Sequence, residues 1–176
     1  DNGKNEVYVL SDPDISGENS DGYYTDIIKS WGVGRIEIKF SRFINPMSDI
    51  RYIKDLYRTF QEMEFNMVVN ISTKPNIYGT IAARFAGIQN IVCSVWGMGL
   101  VFAEHRNFGR AMLQRFVEML YRIAFSFGRK VWFTNSNDAE YFLKKKIVSN
   151  AKLIQTKNYV NTEDYSPTCV SLNDIS

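Results

Sequence analysis

The sequence predicts an α/β fold in which a parallel sheet is covered by helices on both faces. Two observations support this prediction. Segments with strand character alternate with segments of helical periodicity along the 176 residues, which is the pattern of parallel α/β folds. The central strand segments are almost continuously apolar, as expected for strands that are buried under helices on both sides.

The predicted strands differ in pattern, and the difference predicts their places in the sheet. The segment "RIEIKF" alternates strictly between charged and apolar residues, which predicts one solvent-facing side and a place at the sheet edge. By contrast, "MVVNIS" and "IVCSVW" are nearly continuous apolar runs, which predicts buried central strands. The predicted strands span residues 6–11, 35–40, 67–72, 91–96, 130–135 and 151–156.

The predicted helices lie between these strands. Asn45 is suited to cap a helix that begins at Pro46, and Gly87 is suited to end a helix over residues 76–86. The polar segment 12–24 predicts a loop or a short helix. Further helices are predicted over residues 108–127 and 138–146. Apolar residues recur at helical spacing after Asn45 (Met47, Ile50, Ile53, Leu56, Phe60, Met63) and in the long helix (Phe108, Met112, Phe116, Leu120, Ile123, Phe127).

Composition excludes several classes of protein. With 21 basic and 19 acidic residues and a net charge of +2, the chain does not resemble a dedicated nucleic-acid binder, which is usually strongly basic. Cys93 and Cys169 are far apart and match no zinc spacing, which predicts a reduced, cytoplasmic setting. No apolar run reaches the roughly 18 residues of a spanning helix. The polar start without a methionine leads us to expect a piece of a longer protein.

Polar side chains follow the predicted central strands where those strands end. Because ligands of open parallel sheets bind at the carboxyl ends of the strands, we predict a binding crevice there. Hydroxyls and amides offer neutral hydrogen-bond partners for a sugar, and an indole offers a flat apolar face for its ring. The predicted substrate-binding residues are Ser72, Thr73, Lys74, Trp96, Gly97, Gly99, Asn135 and Asn137.

Simpler explanations exist for each of these residues. Ser, Thr and Asn after strands commonly cap helices or form turns, and capping explains any one of them taken alone. Gly97 and Gly99 either permit positive φ in a tight turn or let the backbone approach a ligand. They do not form the dinucleotide fingerprint, because Phe102 stands where its third glycine would be, which disfavours an NAD-binding domain.

The sequence does not identify catalytic residues. His105 is the single histidine and has no evident Ser or Cys partner for a triad, and no metal-binding cluster is apparent. Asp12, Asp14, Glu104 and Asp138 have the chemistry of an acid or base, but the sequence does not pair them. The catalytic residues are therefore left unknown.

Basic residues surround the long predicted helix. One interpretation is a core helix whose arginines extend their charged ends into solvent, and ordinary α/β periodicity favours it. The other is a basic amphipathic surface that makes peripheral contact with anionic lipid headgroups. The residues concerned are Arg106, Arg110, Arg115, Arg122, Arg129 and Lys130.

Four segments carry a family resemblance: "FSRFINPMSDIRYIKDLYRTF", "NISTKPNIYGTIAARFAGIQNIVCSVWGMGLVF", "VEMLYRIAFSFGRKVWFTNSNDAEYF" and "NYVNTEDYSP". In this order and spacing they resemble the N-terminal domain of bacterial retaining glycosyltransferases of family four, which have the two-domain GT-B fold. The likeness covers residues 6–167 and is closest to members that build capsule, O-antigen and glycan-linked lipid precursors. It implies a Rossmann-like acceptor-side domain over residues 1–165 and the start of an interdomain linker over 166–176.

The resemblance also implies an activity for the full-length protein. Family members transfer a hexose-type sugar from a nucleotide-sugar donor to a lipid-linked or polysaccharide acceptor, with the anomeric configuration retained. The donor is a substrate, so no cofactor and no metal are expected. The family's C-terminal domain, whose paired glutamates hold the donor, is missing, and we therefore expect this part to be inactive alone.

Two departures from the family pattern bear on structure and chemistry. The family's first strand, with its Gly-rich loop, would precede Asp1 and normally lies between the strands predicted over 6–11 and 67–72. We expect either direct pairing of those strands or another chain in the gap. Many members also have His where Trp96 stands. Trp stacks on sugars but carries no proton, so the role of that His does not transfer directly.

A runner-up hypothesis is a non-catalytic α/β module that binds a ligand or a partner. It predicts that the substitutions Trp96→Ala and Asn135→Ala leave the activity of the full-length protein intact.

Overall fold

The computed structural model describes residues 5–13, 23–41, 45–102 and 108–156. The strands in these ranges are β1 (Tyr8–Ser11), β2 (Gly34–Glu37), β3 (Met67–Ile71), β4 (Asn90–Val95), β5 (Lys130–Phe133) and β6 (Leu153–Gln155). The α-helices are α1 (Tyr23–Ser30), α2 (Pro46–Met63), α3 (Thr80–Phe85), α4 (Phe108–Phe127) and α5 (Ser136–Lys144). The predicted boundary between residues 165 and 166 lies outside the described residues.

Local signals place several elements where they were predicted. α2 begins at Pro46, and the Asn45 side chain accepts a hydrogen bond from the Ser48 N–H (3.3 Å). The predicted and observed bounds of the long helix agree over 108–127. The helix predicted over 76–86 begins instead as a π-helical segment, Pro75–Gly79, that continues into α3. α1 was not predicted over its full length, because only its first residues fall in the segment expected to be a loop or short helix.

The strands form two parallel sheets. β1 pairs with β2, and the larger sheet has the order β3-β4-β5-β6. The predicted α/β class, with parallel strands flanked by helices, is confirmed, as is the edge position of β2. Direct pairing of β1 with β3, one of two expected arrangements, does not occur. Within the part of the chain that the structure describes, β3 therefore has a strand partner on one side.

β3 is not buried on both faces, so that prediction was wrong. Val68 and Asn70 are buried, whereas Met67, Val69 and Ile71 are 57%, 50% and 45% exposed. Exposure alternates because successive side chains of a strand point to opposite sides of the sheet. One side packs into the core, and the side chains on the other are not covered by the described residues.

The prediction about which side of α4 faces the core was also wrong. Of the six residues expected to face the core, five are exposed, from 83% for Phe108 to 37% for Phe127. A different side of the helix is buried, and it carries Val117, Glu118, Tyr121, Ala124 and Phe125. The helix is apolar on two sides, so periodicity alone did not reveal which side packs.

Candidate functional site

The carboxyl ends of β3, β4 and β5 lie side by side. The Ser72 N–H donates to the Ser94 carbonyl (3.4 Å), and the Thr134 N–H donates to the Val95 carbonyl (3.4 Å). These bonds join the segments that follow each strand into one rim. The predicted substrate-binding residues after the three strands therefore share one edge of the sheet, as open parallel sheets require of a ligand crevice.

The turn after β4 is built from Trp96, Gly97 and Gly99. Gly97 has φ +153° and Gly99 has φ +78°, values that favour glycine because it lacks Cβ. A Cβ added to Gly99 would lie 3.7 Å from the Thr73 hydroxyl oxygen, whereas one added to Gly97 would have no neighbour within 4 Å among the described residues. The turn thus passes beside the end of β3 and leaves open space next to Gly97.

Trp96 is 62% exposed, and its indole makes one hydrogen bond. The indole Nε1–H donates to the Ser94 hydroxyl oxygen (2.7 Å). The indole does not exchange a proton as an imidazole does, and its one donor is already bonded to Ser94, so the side chain offers apolar surface rather than acid–base chemistry.

The residues after β3 serve partly structural roles. Ser72 has φ +79°, an uncommon conformation for a residue other than glycine and one found often at functional sites. The Lys74 ammonium pairs with Asp49, which is buried on α2. The Tyr78 hydroxyl also donates to Asp49 (3.2 Å). Burial and then the Asp49 charge raise the pKa of Tyr78 to about 12, so this hydroxyl stays protonated.

Asn135 and Asn137 lie at the start of α5 and differ in role. The Asn135 side chain accepts from the Asp138 N–H (2.8 Å) and donates to the Asp138 carboxylate (2.9 Å). Asn135 is therefore the helix cap, the simpler of the two explanations considered for it. Asn137 is exposed in the first turn of the same helix. Contact of either residue with a ligand stays a prediction.

A buried polar cluster below the rim was missed from the sequence. Asn76, Thr80 and Ser94 are each fully buried. Asn76 donates to the Ser94 carbonyl (2.9 Å) and accepts from the Ser94 N–H (3.1 Å). The one available signal was the four-residue spacing of Asn76 and Thr80, which places both on one side of a helix.

A cavity of about 840 Å³ lies between the end of β2 and α2, and the sequence did not predict it. Its walls combine Arg51 and Arg58 with Asp55 and Glu62, so its charges are mixed. Asp12, which follows β1, also lines it and accepts from the Phe40 N–H (3.0 Å). The carboxyl ends of the smaller sheet thus also border open space.

Neither a metal-binding cluster nor a membrane-spanning helix is present among the described residues. Over these residues, no group of three or more His, Cys, Asp or Glu side chains is placed to hold a metal ion. His105 and Glu104 lie outside them. No helix within 5–13, 23–41, 45–102 and 108–156 combines the length and apolar character needed to cross a membrane.

Comparison with known proteins identifies the family. The sequence profile described as "Glycosyl transferase 4-like" matches residues 15–135, more than half of the chain. The chain belongs to this glycosyltransferase family. The resemblance to the N-terminal domain of a bacterial glycosyltransferase is thereby confirmed.

Two curated relatives are similar over much of the chain. One is the N,N'-diacetylbacillosaminyl-diphospho-undecaprenol alpha-1,3-N-acetylgalactosaminyltransferase of Campylobacter jejuni, 23% identical over 93% of this chain and 42% of the relative. The other is the UDP-Gal:alpha-D-GlcNAc-diphosphoundecaprenol alpha-1,3-galactosyltransferase of Escherichia coli, 25% identical over 72% of this chain and 31% of the relative. The chain therefore spans less than half the length of either relative.

Two solved structures share the fold. MurG of Acinetobacter baumannii matches with a TM-score of 0.52 and 13% identity, over 91% of this chain and 39% of that one. A glycosyltransferase of Rickettsia africae matches with a TM-score of 0.57 and 13% identity, over 98% and 48%. These likenesses confirm the predicted fold class, that of GT-B glycosyltransferases.

Proposed function

We propose that the full-length protein transfers a sugar from a nucleotide-sugar donor to a lipid-linked or polysaccharide acceptor, and that this chain is its acceptor-side domain. The observation that carries the proposal is the polar rim at the ends of β3, β4 and β5 in a member of this family. Both curated relatives carry names that specify a sugar linked to diphospho-undecaprenol. A lipid diphosphate that bears a sugar is therefore the acceptor class we favour.

The proposed reaction is a substitution at the anomeric carbon with retention of configuration. An acceptor hydroxyl oxygen forms the new bond to that carbon, and the bond from the carbon to the nucleotide diphosphate breaks. The diphosphate leaves with the bonding electrons, and its oxygens take the hydroxyl proton, so no protein base is needed. A hexose-type donor is favoured, with no metal and no cofactor.

The rim residues would divide the work of acceptor binding. Trp96 offers its exposed face to a sugar ring, and the backbone at Gly97 and Gly99 admits close approach. The hydroxyls of Ser72 and Thr73 would contact sugar hydroxyls, as would the exposed amide of Asn137. Asn135 would contact a sugar hydroxyl only if it gave up the hydrogen bonds to Asp138 with which it caps α5. The Lys74 ammonium would attract a phosphate of the acceptor while it remains paired with Asp49.

We also propose that this domain is inactive alone, because the donor would bind in a separate C-terminal domain. The test uses full-length protein with a panel of UDP-hexoses and UDP-N-acetylhexosamines. The acceptors are diphospho-undecaprenol-linked sugars, and product is followed by mass spectrometry. Transfer is expected with the full-length protein and not with residues 1–176. The absence of both transfer and nucleotide-sugar binding would overturn the proposal.

A matched pair of variants separates this proposal from a non-catalytic binding module. Trp96→Ala removes the exposed ring and is expected to raise the acceptor KM about tenfold, which corresponds to about 1.4 kcal/mol of lost contact. Trp31→Ala, at a similarly exposed indole after α1, is the control and should leave KM unchanged. Transfer that survives both Trp96→Ala and Asn135→Ala unchanged would favour the binding module.

The exposed side of α4 supports a further part of the proposal, peripheral contact with an anionic membrane. Its apolar stripe spans about 100° of the helix at 3.6 residues per turn. Arg115 and Arg122 are exposed within about 40° of one edge of that stripe. An apolar stripe beside basic side chains suits a bilayer interface with anionic lipid headgroups. The stripe consists of Phe108, Met112, Phe116, Met119, Ile123 and Phe127.

Contacts between α4 and the end of α5 hold the stripe outward. Tyr141 of α5 donates to the buried Glu118 carboxylate, and the Lys145 ammonium lies 3.8 Å from that carboxylate. The Arg122 guanidinium donates to the Lys145 carbonyl (2.9 Å). The helix is therefore anchored to α5 and presents its stripe without rearrangement.

The membrane contact is tested by sedimentation of full-length protein with vesicles of phosphatidylcholine, with and without phosphatidylglycerol. Binding is expected with phosphatidylglycerol, and added salt should weaken it. The double variant Phe116→Glu/Ile123→Glu should abolish it, whereas Trp31→Glu, which changes a more exposed aromatic off the stripe, should not. Equal binding by all three proteins, or none by wild type, contradicts this part of the proposal.

A further inference from the structure

The orientation of the Trp96 indole depends on residues that do not themselves reach the rim. An indole that is 62% exposed would ordinarily sample several rotamers. Here its Nε1–H is bonded to the Ser94 hydroxyl oxygen at 2.7 Å. A single bond of this kind fixes one edge of the ring and leaves its faces free for contact.

Ser94 is itself immobile, because it is fully buried and bonded on both backbone groups. It lies between Ile71 of β3 and Trp132 of β5 in the ladder. The Asn76 amide donates to its carbonyl (2.9 Å) and accepts from its N–H (3.1 Å). One side chain thus holds both backbone groups of the residue to which Trp96 is bonded.

Asn76 is in turn held by the π-helical segment. Lys74 and Tyr78, on either side of Asn76, both bond to Asp49 of α2. Gly79, at the end of the segment, packs so closely that an added Cβ would lie 2.4 Å from the Asn70 amide oxygen. π-helical turns of this kind occur frequently at functional sites, and this one places an amide under the rim.

We propose that Asn76 and Ser94 are positioning residues, which hold the Trp96 indole so that its exposed face stacks on a sugar ring of the acceptor. The proposal rests on the proposed function, because it assigns Trp96 to acceptor binding. Its structural basis is a series of contacts that runs from the π-helical segment through Asn76 and Ser94 to the indole. The open space beside Gly97 is where that ring is received.

The first test measures the indole directly and needs no activity. Trp31→Phe/Trp132→Phe full-length protein leaves Trp96 as the one indole in residues 1–176, and tryptophans elsewhere in the full-length protein are also replaced by Phe. Ser94→Ala in this background removes the acceptor of the Nε1–H bond. The fast component of the fluorescence anisotropy decay should increase, because the ring gains rotamer freedom. Ser126→Ala, a matched loss of a serine hydroxyl on α4, should not change it.

The second test measures acceptor kinetics in a double-mutant cycle. Ser94→Ala should raise the acceptor KM about 3- to 10-fold, the worth of one hydrogen bond, while kcat changes by less than about twofold. Trp96→Phe keeps a ring but lacks the donor, so adding Ser94→Ala to it should change KM no further. Asn76→Ala should act in the same direction as Ser94→Ala, and circular dichroism with thermal melting checks that each variant is folded.

Each outcome is assigned to one hypothesis. Unchanged anisotropy in Ser94→Ala overturns the positioning role, and so does a KM effect of Ser94→Ala that persists in Trp96→Phe. If Asn76→Ala does not fold, the Ser94→Ala and Trp96→Phe cycle decides alone. The absence of both transfer and nucleotide-sugar binding in wild-type full-length protein overturns the proposed function, and transfer with normal KM in Ser94→Ala overturns this inference alone.

Discussion

Burial governs the chemistry of Cys93. The thiol is fully buried in β4, and its sulfur lies 3.1 Å from the Thr80 hydroxyl oxygen. Burial raises the pKa of Cys93 to about 11, and the Thr80 hydrogen bond and the Lys152 charge only partly oppose this rise. The thiolate is the reactive form of cysteine, so this residue is not a candidate nucleophile although it lies next to Ser94.

The raised pKa predicts alkaline destabilisation. The pKa of Cys93 is about 11 when folded and 9.0 as the reference value, so the folded state retains a proton that the unfolded state loses. The free energy of unfolding should be independent of this group below pH 9 and decrease as the pH rises towards 11. Urea titrations across pH 8–11 measure the decrease, and Cys93→Ala should make it shallower. An equal slope in both proteins contradicts the expectation.

Gly79 is required by packing rather than by its own φ angle. Gly79→Ala would place Cβ 2.4 Å from the Asn70 amide oxygen, and overpacking of this kind costs roughly 1–3 kcal/mol. Asn70→Ala removes the obstruction together with the Asn70–Thr80 hydrogen bond (3.0 Å). The double variant should therefore lose less stability than the two single variants added together. Gly109→Ala, where the added Cβ meets no described residue within 4 Å, should be nearly neutral in the same urea titrations.

Elements were more predictable than the contacts they make. The bounds of α4 and the start of α2 followed from periodicity and from the Asn45–Pro46 cap. The π-helical turn was not predictable, because it depends on the close approach of Gly79 to β3. The buried side of α4 was not predictable either, since both of its sides are apolar and the neighbouring elements select between them.

The cap of α5 gives a prediction at this scale. Asn135→Ala removes the oxygen that accepts from the Asp138 N–H and should cost about 1 kcal/mol of unfolding free energy. Asn135→Ser keeps a capping oxygen and should cost less, although it loses the donor to the Asp138 carboxylate. Asn137→Ala, in the exposed first turn, serves as control. If Asn135 also contacts the acceptor, Asn135→Ser will raise KM while stability stays near wild type.

On the scale of the molecule, the two sheets leave apolar surface and a strand edge uncovered. Met67, Val69 and Ile71 are exposed on β3, and in the described ranges no strand pairs with β3 on the side away from β4. Unpaired edges with apolar residues favour pairing between molecules. The order of strands and helices predicted this sheet class, and the sequence left open whether β1 would pair directly with β3; the tertiary structure decided against that pairing.

We therefore expect the 176-residue chain on its own to self-associate. Val69→Lys places a charge on the exposed side of β3 and should shift the chain towards monomer in sedimentation velocity. Ile50→Lys, at a residue of α2 that is 52% exposed, is the control and should not. A wild-type chain that is monomeric at all concentrations tested would contradict this expectation.

The sequence by itself determined most of the elements that form, their order, and the kinds of side chain that follow each strand. These properties depend on residues close together in the chain, such as Asn45 with Ser48 or Asn135 with Asp138. The tertiary structure alone decided what those side chains contact. Asn76 meets Ser94 across 18 positions and Lys74 meets Asp49 across 25. Such partners are chosen by packing between distant segments, which no local pattern encodes.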